Sequence, residues 1–279
     1  MNYSVLMSVY DKEQPEFLEK SIESVVNQTV VTDDFVIVCD GPLKESLSDV
    51  LKKMHDKYPF ITIFEREKNE GLGSALSFGL LQTKNEIIMR MDSDDICLPE
   101  RASIQLPLMN DFDVVGGTIS EFNGSEDNII GYRCVPLSFE KIYSFAKKRN
   151  PFNHPSVMFK KSVILEAGNY QTLLYFEDYY LWVRVLSCTH KVCNVPNVLV
   201  NMRSGVSMRK RRGGKKYRKS LKTLRKYMLK NKFISFPRYL FLNFAQSVFS
   251  IASPGIKEKI YKKFLRKKEL TKTNETISQ

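Results

Sequence analysis

The chain contains, at residues 87–95, the segment Ile87-Ile88-Met89-Arg90-Met91-Asp92-Ser93-Asp94-Asp95, an apolar run that ends in clustered carboxylates. The apolar part is typical of a buried strand. Three carboxylates within four positions repel one another unless a cation or a set of hydrogen-bond donors neutralises them. A hard divalent cation that carries phosphates is one such partner. The alternative is a solvated acidic turn that caps the helix opened by Pro99.

Apolar runs and helical segments alternate on the N-terminal side of this segment. Val5–Tyr10, Phe35–Cys39 and Ile61–Phe64 are apolar runs of strand length, and segments with helical spacing of apolar residues separate them. Strands that alternate with helices at this interval are typical of a parallel, doubly wound sheet. The sequence therefore predicts an α/β fold with a central sheet flanked by helices.

Acidic residues follow several of the predicted strands. Asp11, Asp40 and the group Asp92 to Asp95 come directly after apolar runs. Ligands of doubly wound sheets bind outside the carboxyl ends of the strands, so we expect these residues to line one crevice. Asn69 and Gly71 precede a further helix, whose free N–H groups and positive end suit a phosphate.

The second half of the chain supplies further candidate residues. His154 lies between two prolines and ahead of a predicted strand. Glu177 and Asp178 open a predicted helix, so that one carboxylate can cap the helix while the other faces the crevice. A carboxylate in a partly apolar cleft suits a general base. Arg203 is predicted to lie in a polar loop over residues 201–207, from which it could clamp a phosphate.

The composition indicates a folded protein without a zinc site or a disulfide framework. A hydrophobic content of 43%, with 11% aromatic residues, is enough for a packed core. The three His and five Cys are too few and too scattered for a zinc site or a set of disulfides. The N-terminal apolar run has the length of a strand and lacks the basic region of a signal peptide, which predicts a cytoplasmic protein.

Positive charge is concentrated toward the C-terminus. Residues 1–208 hold 21 Lys/Arg and 28 Asp/Glu, whereas residues 209–279 hold 22 and 3. The apolar stretch from Phe233 to Ile256 is interrupted by Pro and polar residues, and it falls short of the roughly 20 uninterrupted apolar residues of a spanning helix. An amphipathic helix that lies in the interface of an anionic membrane fits this pattern. Packing of the segment against the body of the protein is the alternative.

Taken together, these motifs resemble family 2 of the inverting glycosyltransferases, which have the GT-A fold. They are most similar to the bacterial enzymes that build O-antigen, capsule and exopolysaccharide repeat units on a lipid carrier. The resemblance covers residue 3 to about residue 212, with the motifs in the family's order. The matching motifs are Ser8-Val9-Tyr10-Asp11, Cys39-Asp40-Gly41-Pro42, Asn69-Glu70-Gly71, Asp92-Ser93-Asp94-Asp95 with Pro99 and Arg101, His154-Pro155-Ser156 and Glu177-Asp178.

The resemblance implies a Rossmann-like, mostly parallel sheet and a division of the chain. We expect a GT-A catalytic domain over residues 1–208, with a nucleotide-binding part to about residue 110 and an acceptor part from about residue 111 to residue 208. A basic, amphipathic helical extension over residues 209–279 would associate with an anionic membrane surface.

The resemblance also implies roles for individual residues. Asp40 would accept a hydrogen bond from the uracil ring of a UDP-sugar, Asp178 would be the catalytic base, and His154 and Glu177 would lie on the acceptor side. Asp92 and Asp94 would hold a Mn²⁺ or Mg²⁺ ion on the diphosphate, with Asp94 as the direct ligand. The residues expected to bind the nucleotide sugar are Val9, Tyr10, Asp11, Asp40, Asn69, Gly71, Asp92, Ser93, Asp94 and Arg203.

The activity that this resemblance implies is inverting sugar transfer. A hexose or N-acetylhexosamine would move from a UDP-sugar to a saccharide linked to a polyisoprenoid diphosphate. A single displacement would convert an α-linked donor into a β-linkage. Such an enzyme would work in the cytoplasm, peripherally associated with the inner face of the plasma membrane.

Two other functions are compatible with parts of the sequence. Sugar-phosphate nucleotidyltransferases also combine a Rossmann-like sheet with acidic metal ligands, but they usually carry a Gly-rich basic loop after the first strand, where this chain has Tyr10-Asp11-Lys12-Glu13-Gln14. The second alternative function is a non-catalytic module whose basic tail binds nucleic acid. Since no recognised nucleic-acid motif accompanies the charge, we expect no nucleic-acid partner.

Overall fold

The computed structural model describes residues 1–204 and 214–251, and within these residues the chain forms nine strands and nine α-helices. The strands are β1 (Ser4–Val9), β2 (Asp34–Cys39), β3 (Ile61–Glu65), β4 (Ile87–Asp92), β5 (Ile96–Cys97), β6 (Val114–Asn123), β7 (Ser125–Arg133), β8 (Met158–Lys160) and β9 (Val192–Arg203). The helices are α1 (Pro15–Val26), α2 (Glu45–Lys57), α3 (Leu72–Gln82), α4 (Arg101–Gln105), α5 (Phe139–Ala146), α6 (Lys161–Glu166), α7 (Glu177–Cys188), α8 (Gly214–Lys230) and α9 (Phe236–Ile251).

The strands join one sheet in the order β3-β2-β1-β4-β8-β6-β9-β5, and β7 pairs with β6 as a hairpin. Strands β1 to β4 are parallel neighbours. Beyond β4 the sheet is mixed, because β8 runs antiparallel to both β4 and β6 while β6 and β9 are parallel. The predicted α/β architecture is confirmed, and its fully parallel half is formed by the strands that precede the acidic cluster.

Helices cover both faces of the sheet. Along β1, Val5 and Met7 pack into the apolar layer under α1, α2 and α4, whereas Leu6 points into the opposite layer with α3, α5 and α7. This alternation follows from the period of two along a strand. Because both faces of the sheet are covered along β1 and β2, the residues of these two strands are almost entirely buried.

Strand β9 extends further than predicted. Residues 201–207 were expected to form a polar loop, but β9 continues through Arg203. The strand is held on both sides, since Asn201 lies opposite Ser120 of β6 and also opposite Ile96 of β5. The polar side chains are accommodated because Ser120 Oγ donates a hydrogen bond to Asn201 Oδ1 at 2.5 Å. Residues 205–207 of the expected loop lie outside the described residues.

The two C-terminal helices differ in how they pack. α8 buries Leu221, Leu224 and Met228 in the same apolar layer as α7. α9 instead exposes four large apolar side chains, with 52–69% of each accessible: Phe236, Leu240, Phe241 and Phe244. Within the described ranges, none of the helices is both long and apolar enough to cross a membrane.

Candidate active site

Three neighbouring strands end at one edge of the sheet. β1 ends at Val9 beside Cys39 of β2, and Ser8 of β1 pairs with Asp92 of β4. The acidic residues that follow β1, β2 and β4 therefore leave the sheet at the same edge. This convergence is what the order of strands and acidic residues along the chain predicted.

Asp40 organises the turn that precedes α3. Its buried carboxylate accepts hydrogen bonds from the backbone N–H groups of Glu70 and Gly71, both at 2.9 Å, and Arg66 Nη1 lies 3.6 Å from its Oδ1. Each carboxylate oxygen can accept a second hydrogen bond. A contact with uracil is compatible with this geometry and stays a prediction.

The loops after β1 and β2 lie close to that turn. Gly41 has a φ of +89°, and a Cβ atom on it would lie 2.6 Å from the backbone N of Asn69, so a larger residue would push the two loops apart. Asp11 Oδ1 accepts a hydrogen bond from the N–H of Lys44 at 2.9 Å. These contacts join the loops after β1 and β2 to the turn before α3. Val9 and Tyr10 lie beside these loops at the end of β1.

Arg90 is a fully buried cation immediately before the acidic cluster. Its guanidinium forms an ion pair with the carboxylate of Asp92, which is one-third exposed. Among the described residues, Arg90 Nε and Nη1 find no hydrogen-bond partner. A buried charge needs compensation, so Arg90 and Asp92 depend on each other. Sequence reasoning missed this role, although a basic residue inside an apolar strand was a visible signal.

Ser93 and Asp94 follow in different surroundings. Ser93 is buried and its Oγ donates a hydrogen bond to Glu13 Oε2 at 2.9 Å. Burial, followed by the neighbouring carboxylates of Asp92 and Glu13, raises the pKa of Asp94 to about 7. The ionised form of Asp94 is thus disfavoured by its surroundings, and a bound cation would favour it.

Asp95 does not cap the following helix, as the alternative interpretation of the acidic turn would require. Its Oδ1 accepts a hydrogen bond from the backbone N–H of Arg203 at 2.8 Å, and α4 begins only at Arg101. The reason is that β9 ends beside the cluster and presents this N–H group to it. The other oxygen, Oδ2, is buried and has no hydrogen-bond partner among the described residues.

The side chain of Arg203 is held between two aromatic rings. Its guanidinium carbon lies 3.6 Å from the ring centre of Phe17 and 4.6 Å from that of Phe122. Arg203 Nε donates to the carbonyl oxygen of Asp94 at 3.1 Å. This arrangement places a fixed positive charge beside the acidic cluster. A phosphate contact of Arg203 stays a prediction.

Glu177 and Asp178 open α7, as predicted. Asp178 Oδ2 accepts a hydrogen bond from Asn150 Nδ2 at 2.6 Å, and its Oδ1 accepts one from the N–H of Tyr179 at 2.7 Å. Burial, followed by the adjacent carboxylate of Asp178, raises the pKa of Glu177 to about 7. The charges of Arg90 and Asp92 also act on the pKa of Glu177.

His154 is buried beside Arg90. Its Nε2 lies 3.0 Å from the hydroxyl of Tyr170, and its ring packs edge-on against Trp182. Burial, followed by the charge of Arg90, lowers the pKa of His154 well below its usual value. The imidazole is therefore neutral at physiological pH, and its predicted contact with an acceptor stays a prediction.

Arg101 connects the acidic strand to the turn that contains His154. Its side chain is fully buried and donates hydrogen bonds to the carbonyl oxygens of Arg90 at 2.9 Å, Pro155 at 2.8 Å and Val157 at 3.0 Å. Three backbone acceptors would lose a partner without it. Arg101 thus has a structural role close to the site.

The carboxylates of the acidic cluster are of the type that a divalent metal ion takes as ligands. In the part of the chain that the structure describes, no group of three or more His, Cys, Asp or Glu forms a ready-made metal site. Mg²⁺ on a phosphate substrate usually takes one or two carboxylates together with phosphate oxygens. The pair Asp92 and Asp94 fits that pattern, and Asp95 Oδ2 beside them is a buried oxygen without a hydrogen-bond partner among the described residues.

The sequence is similar to known sugar transferases. Residues 4–166 match the family described as glycosyl transferase family 2. The chain is 43% identical over 221 residues to the amylovoran biosynthesis glycosyltransferase AmsE of Erwinia amylovora, with 78% of this chain and 82% of AmsE covered. It is 35% identical over 271 residues to the UDP-Gal:alpha-D-GlcNAc-diphosphoundecaprenol beta-1,3-galactosyltransferase of Escherichia coli, with 95% of this chain and 97% of that protein covered.

The fold is also similar to a solved structure. The crystal structure of S. aureus TarS 1-349 in complex with UDP-GlcNAc superposes with a TM-score of 0.66 at 15% identity, and the match covers 95% of this chain and 76% of TarS 1-349. At that identity the likeness concerns the fold alone, and it confirms the expected GT-A architecture. The family match covers more than half of the chain, and the relative AmsE is well above 30% identical. The chain therefore belongs to glycosyl transferase family 2.

Proposed function

We propose that this protein is an inverting glycosyltransferase of bacterial surface polysaccharide biosynthesis. It transfers a hexose or an N-acetylhexosamine from a UDP-sugar to a saccharide on a polyisoprenoid diphosphate and forms a β-linkage. The observation that carries the proposal is that the carboxylates following β1, β2 and β4 leave the sheet at one edge, in a chain that belongs to glycosyl transferase family 2. The two relatives described above support the class of reaction, because one is a galactosyltransferase with a lipid-diphosphate acceptor and the other serves amylovoran biosynthesis.

The donor lies, in this proposal, along the ends of β1, β2 and β4. Asp40 and the loop after Val9 hold the nucleoside, and the N–H groups at the start of α3 favour the diphosphate. Asp92 and Asp94 hold a Mn²⁺ or Mg²⁺ ion, as the enzymes of this family generally use a divalent metal. Held by these two carboxylates, such an ion would supply positive charge for the departing UDP.

The chemistry of the acceptor side rests on Asp178. Its carboxylate takes the proton of the acceptor hydroxyl while that oxygen bonds to the anomeric carbon from the face opposite UDP. The bond from the anomeric carbon to the UDP oxygen breaks in the same displacement, so the configuration inverts. Glu177, with a pKa of about 7, is protonated in a large fraction of molecules at neutral pH and can then donate a hydrogen bond to a sugar oxygen.

A donor screen tests the proposal. The protein is incubated with a panel of UDP-sugars, Mn²⁺ and a polyisoprenyl-diphosphate-linked sugar, and released UDP and the linkage of the product are measured. We expect one UDP-sugar to give UDP release that depends on the acceptor, and a β-linked product by NMR. An α-linked product would overturn the inverting mechanism. Release of pyrophosphate from a nucleoside triphosphate would instead indicate a nucleotidyltransferase.

The C-terminal helices support a peripheral association with the inner face of the plasma membrane. α9 exposes Phe236, Leu240, Phe241 and Phe244, and apolar side chains on one helix can enter the boundary between head groups and acyl chains. Basic residues near an anionic leaflet contribute about 1 kcal/mol each. Exposed lysines of α8 that can act in this way are Lys215, Lys216, Lys219, Lys222, Lys226 and Lys230.

The exposed face of α9 gives a direct prediction. Replacing Phe241 and Phe244 by Ser in the full chain should weaken binding to anionic vesicles at least about tenfold. The reason is that the loss of each Phe removes on the order of 2 kcal/mol of apolar burial in the membrane. Vesicle flotation measures the effect, and transfer to a short, water-soluble acceptor should not change. The matched control replaces Val31 and Leu81, which are 61% and 57% exposed elsewhere on the molecule. Equal flotation of the α9 variant and the wild type would contradict the membrane contact.

A further inference from the structure

Asn150 is a polar residue close to the site that none of the sequence motifs includes. It lies in the loop after α5, four residues beyond the end of that helix at Ala146. Its Nδ2 donates a hydrogen bond to Asp178 Oδ2 at 2.6 Å, and its Oδ1 accepts one from the N–H of Phe152 at 3.3 Å. The backbone contact determines which way the amide faces, so the donating end of Asn150 points at the carboxylate.

The loop that carries Asn150 is anchored to the same helix as Asp178. Phe152 is 2% exposed, and its ring lies 5.1 Å from that of Trp182 on α7. At the other end of the loop, the hydroxyl of Tyr179 donates a hydrogen bond to the carbonyl oxygen of Ala146. Contacts on both sides of Asn150 therefore prevent the loop from moving independently of α7.

The hydrogen bond from Asn150 has a defined effect on Asp178. The N–H of Tyr179 and the amide of Asn150 reach different oxygens of the carboxylate, so the amide of Asn150 is one of the donors that orient the plane of the carboxylate. A neutral amide favours the ionised carboxylate without adding a competing proton acceptor. This matters because Glu177, a second carboxylate, is the adjacent residue, and like charges disfavour ionisation.

We propose that Asn150 is a positioning residue for the general base: its side-chain amide holds the carboxylate of Asp178 in one orientation and in the proton-accepting form. The inference rests on the proposed role of Asp178. Asn150 itself transfers no proton in this role, and it acts through Asp178.

Two substitutions of Asn150 separate this role from a purely structural one. Asn150→Ala removes the donor, and we expect kcat to fall on the order of 10- to 100-fold, while the KM for the UDP-sugar stays within about twofold. Asn150→Asp preserves the shape of the side chain but sets a carboxylate against Asp178, and we expect it to be less active than Asn150→Ala at neutral pH. A structural role would give the reverse order, because the isosteric variant would pack better.

Asn153 provides a matched control in the same loop. Its Nδ2 donates to the carbonyl oxygens of Gly117 and Arg133, both at 2.9 Å, and it makes no contact with Asp178 among the hydrogen bonds of the described residues. Asn153→Ala should lower the melting temperature, with kcat reduced only in proportion to the folded fraction. Asn150→Ala should show the opposite pattern, with a nearly unchanged melting temperature and a low kcat.

The same variants distinguish failure of this inference from failure of the proposed function. In an Asp178→Asn background, adding Asn150→Ala should not lower the residual single-turnover rate further. An inactive Asp178→Asn variant together with a fully active Asn150→Ala variant would overturn the role of Asn150 alone. Normal turnover by Asp178→Asn would overturn the assignment of the base itself.

Discussion

Asp178→Asn should reduce sugar transfer by about 10²- to 10⁴-fold and leave the affinity for the UDP-sugar nearly unchanged. The amide has almost the same size as the carboxylate, and its carbonyl oxygen can still accept the hydrogen bond that Asn150 donates at 2.6 Å. It cannot take the proton of the acceptor hydroxyl. The loss should therefore appear in kcat and in single-turnover rates, with the dissociation constant of the donor measured separately by calorimetry.

Glu177→Gln is the matched control for this prediction. Burial and the adjacent Asp178 raise the pKa of Glu177 to about 7, so at neutral pH a large fraction of Glu177 is already uncharged. Gln imitates that neutral form, and we expect a loss of less than about tenfold, well below the effect of removing a general base. If Glu177→Gln abolished transfer while Asp178→Asn remained active, the roles of the two carboxylates would have to be exchanged.

Asp94→Asn should remove most of the dependence of donor binding on Mn²⁺. Burial and the carboxylates of Asp92 and Glu13 disfavour the charge on Asp94 in the protein alone. A bound cation would stabilise this charge, and an Asn at this position cannot supply it. The dissociation constant of the UDP-sugar in the presence of Mn²⁺ should rise by at least about 10- to 100-fold, the range that already applies when a metal ligand loses an outer-shell hydrogen-bond partner.

The metal itself gives a readout that does not depend on turnover. Free Mn²⁺ is followed by electron paramagnetic resonance while the UDP-sugar is added, and the wild type should take up the ion together with the donor. Asp95→Asn is the control, since Asp95 Oδ1 accepts the N–H of Arg203 at 2.8 Å and an Asn oxygen can keep that bond. Uptake of Mn²⁺ by Asp94→Asn that equals the wild type would contradict the assignment of Asp94 as a ligand.

The local patterns of the sequence predicted much of the fold. The apolar runs at Val5–Tyr10, Phe35–Cys39 and Ile61–Phe64 correspond to β1, β2 and β3. These features depend on neighbours along the chain, which the sequence shows directly. The predicted end of the last strand was wrong because Asn201 to Arg203 gain their partners from β5 and β6, which are distant in sequence.

The expected crevice was predictable for a similar reason. In a parallel sheet all carboxyl ends lie at one edge, so the acidic residues that follow β1, β2 and β4 had to converge. The packing around them was not predictable from spacing. A helix cap was the alternative interpretation of the acidic turn, but Asp95 accepts a hydrogen bond from the N–H of a residue 108 positions away. No local pattern indicates such a contact.

The sequence by itself determined the α/β alternation, the placement of carboxylates at strand ends and the family, because strand and helix periods and motif order are properties of neighbouring residues. Only the tertiary structure decided that Arg90 is buried against Asp92, that two rings enclose Arg203, and that Asn150 reaches Asp178 across 28 positions. The physical reason is that desolvation, ion pairing and hydrogen-bond geometry depend on which distant segments of the chain pack together. These contacts give the carboxylates that follow β4 their different hydrogen-bond partners and degrees of burial.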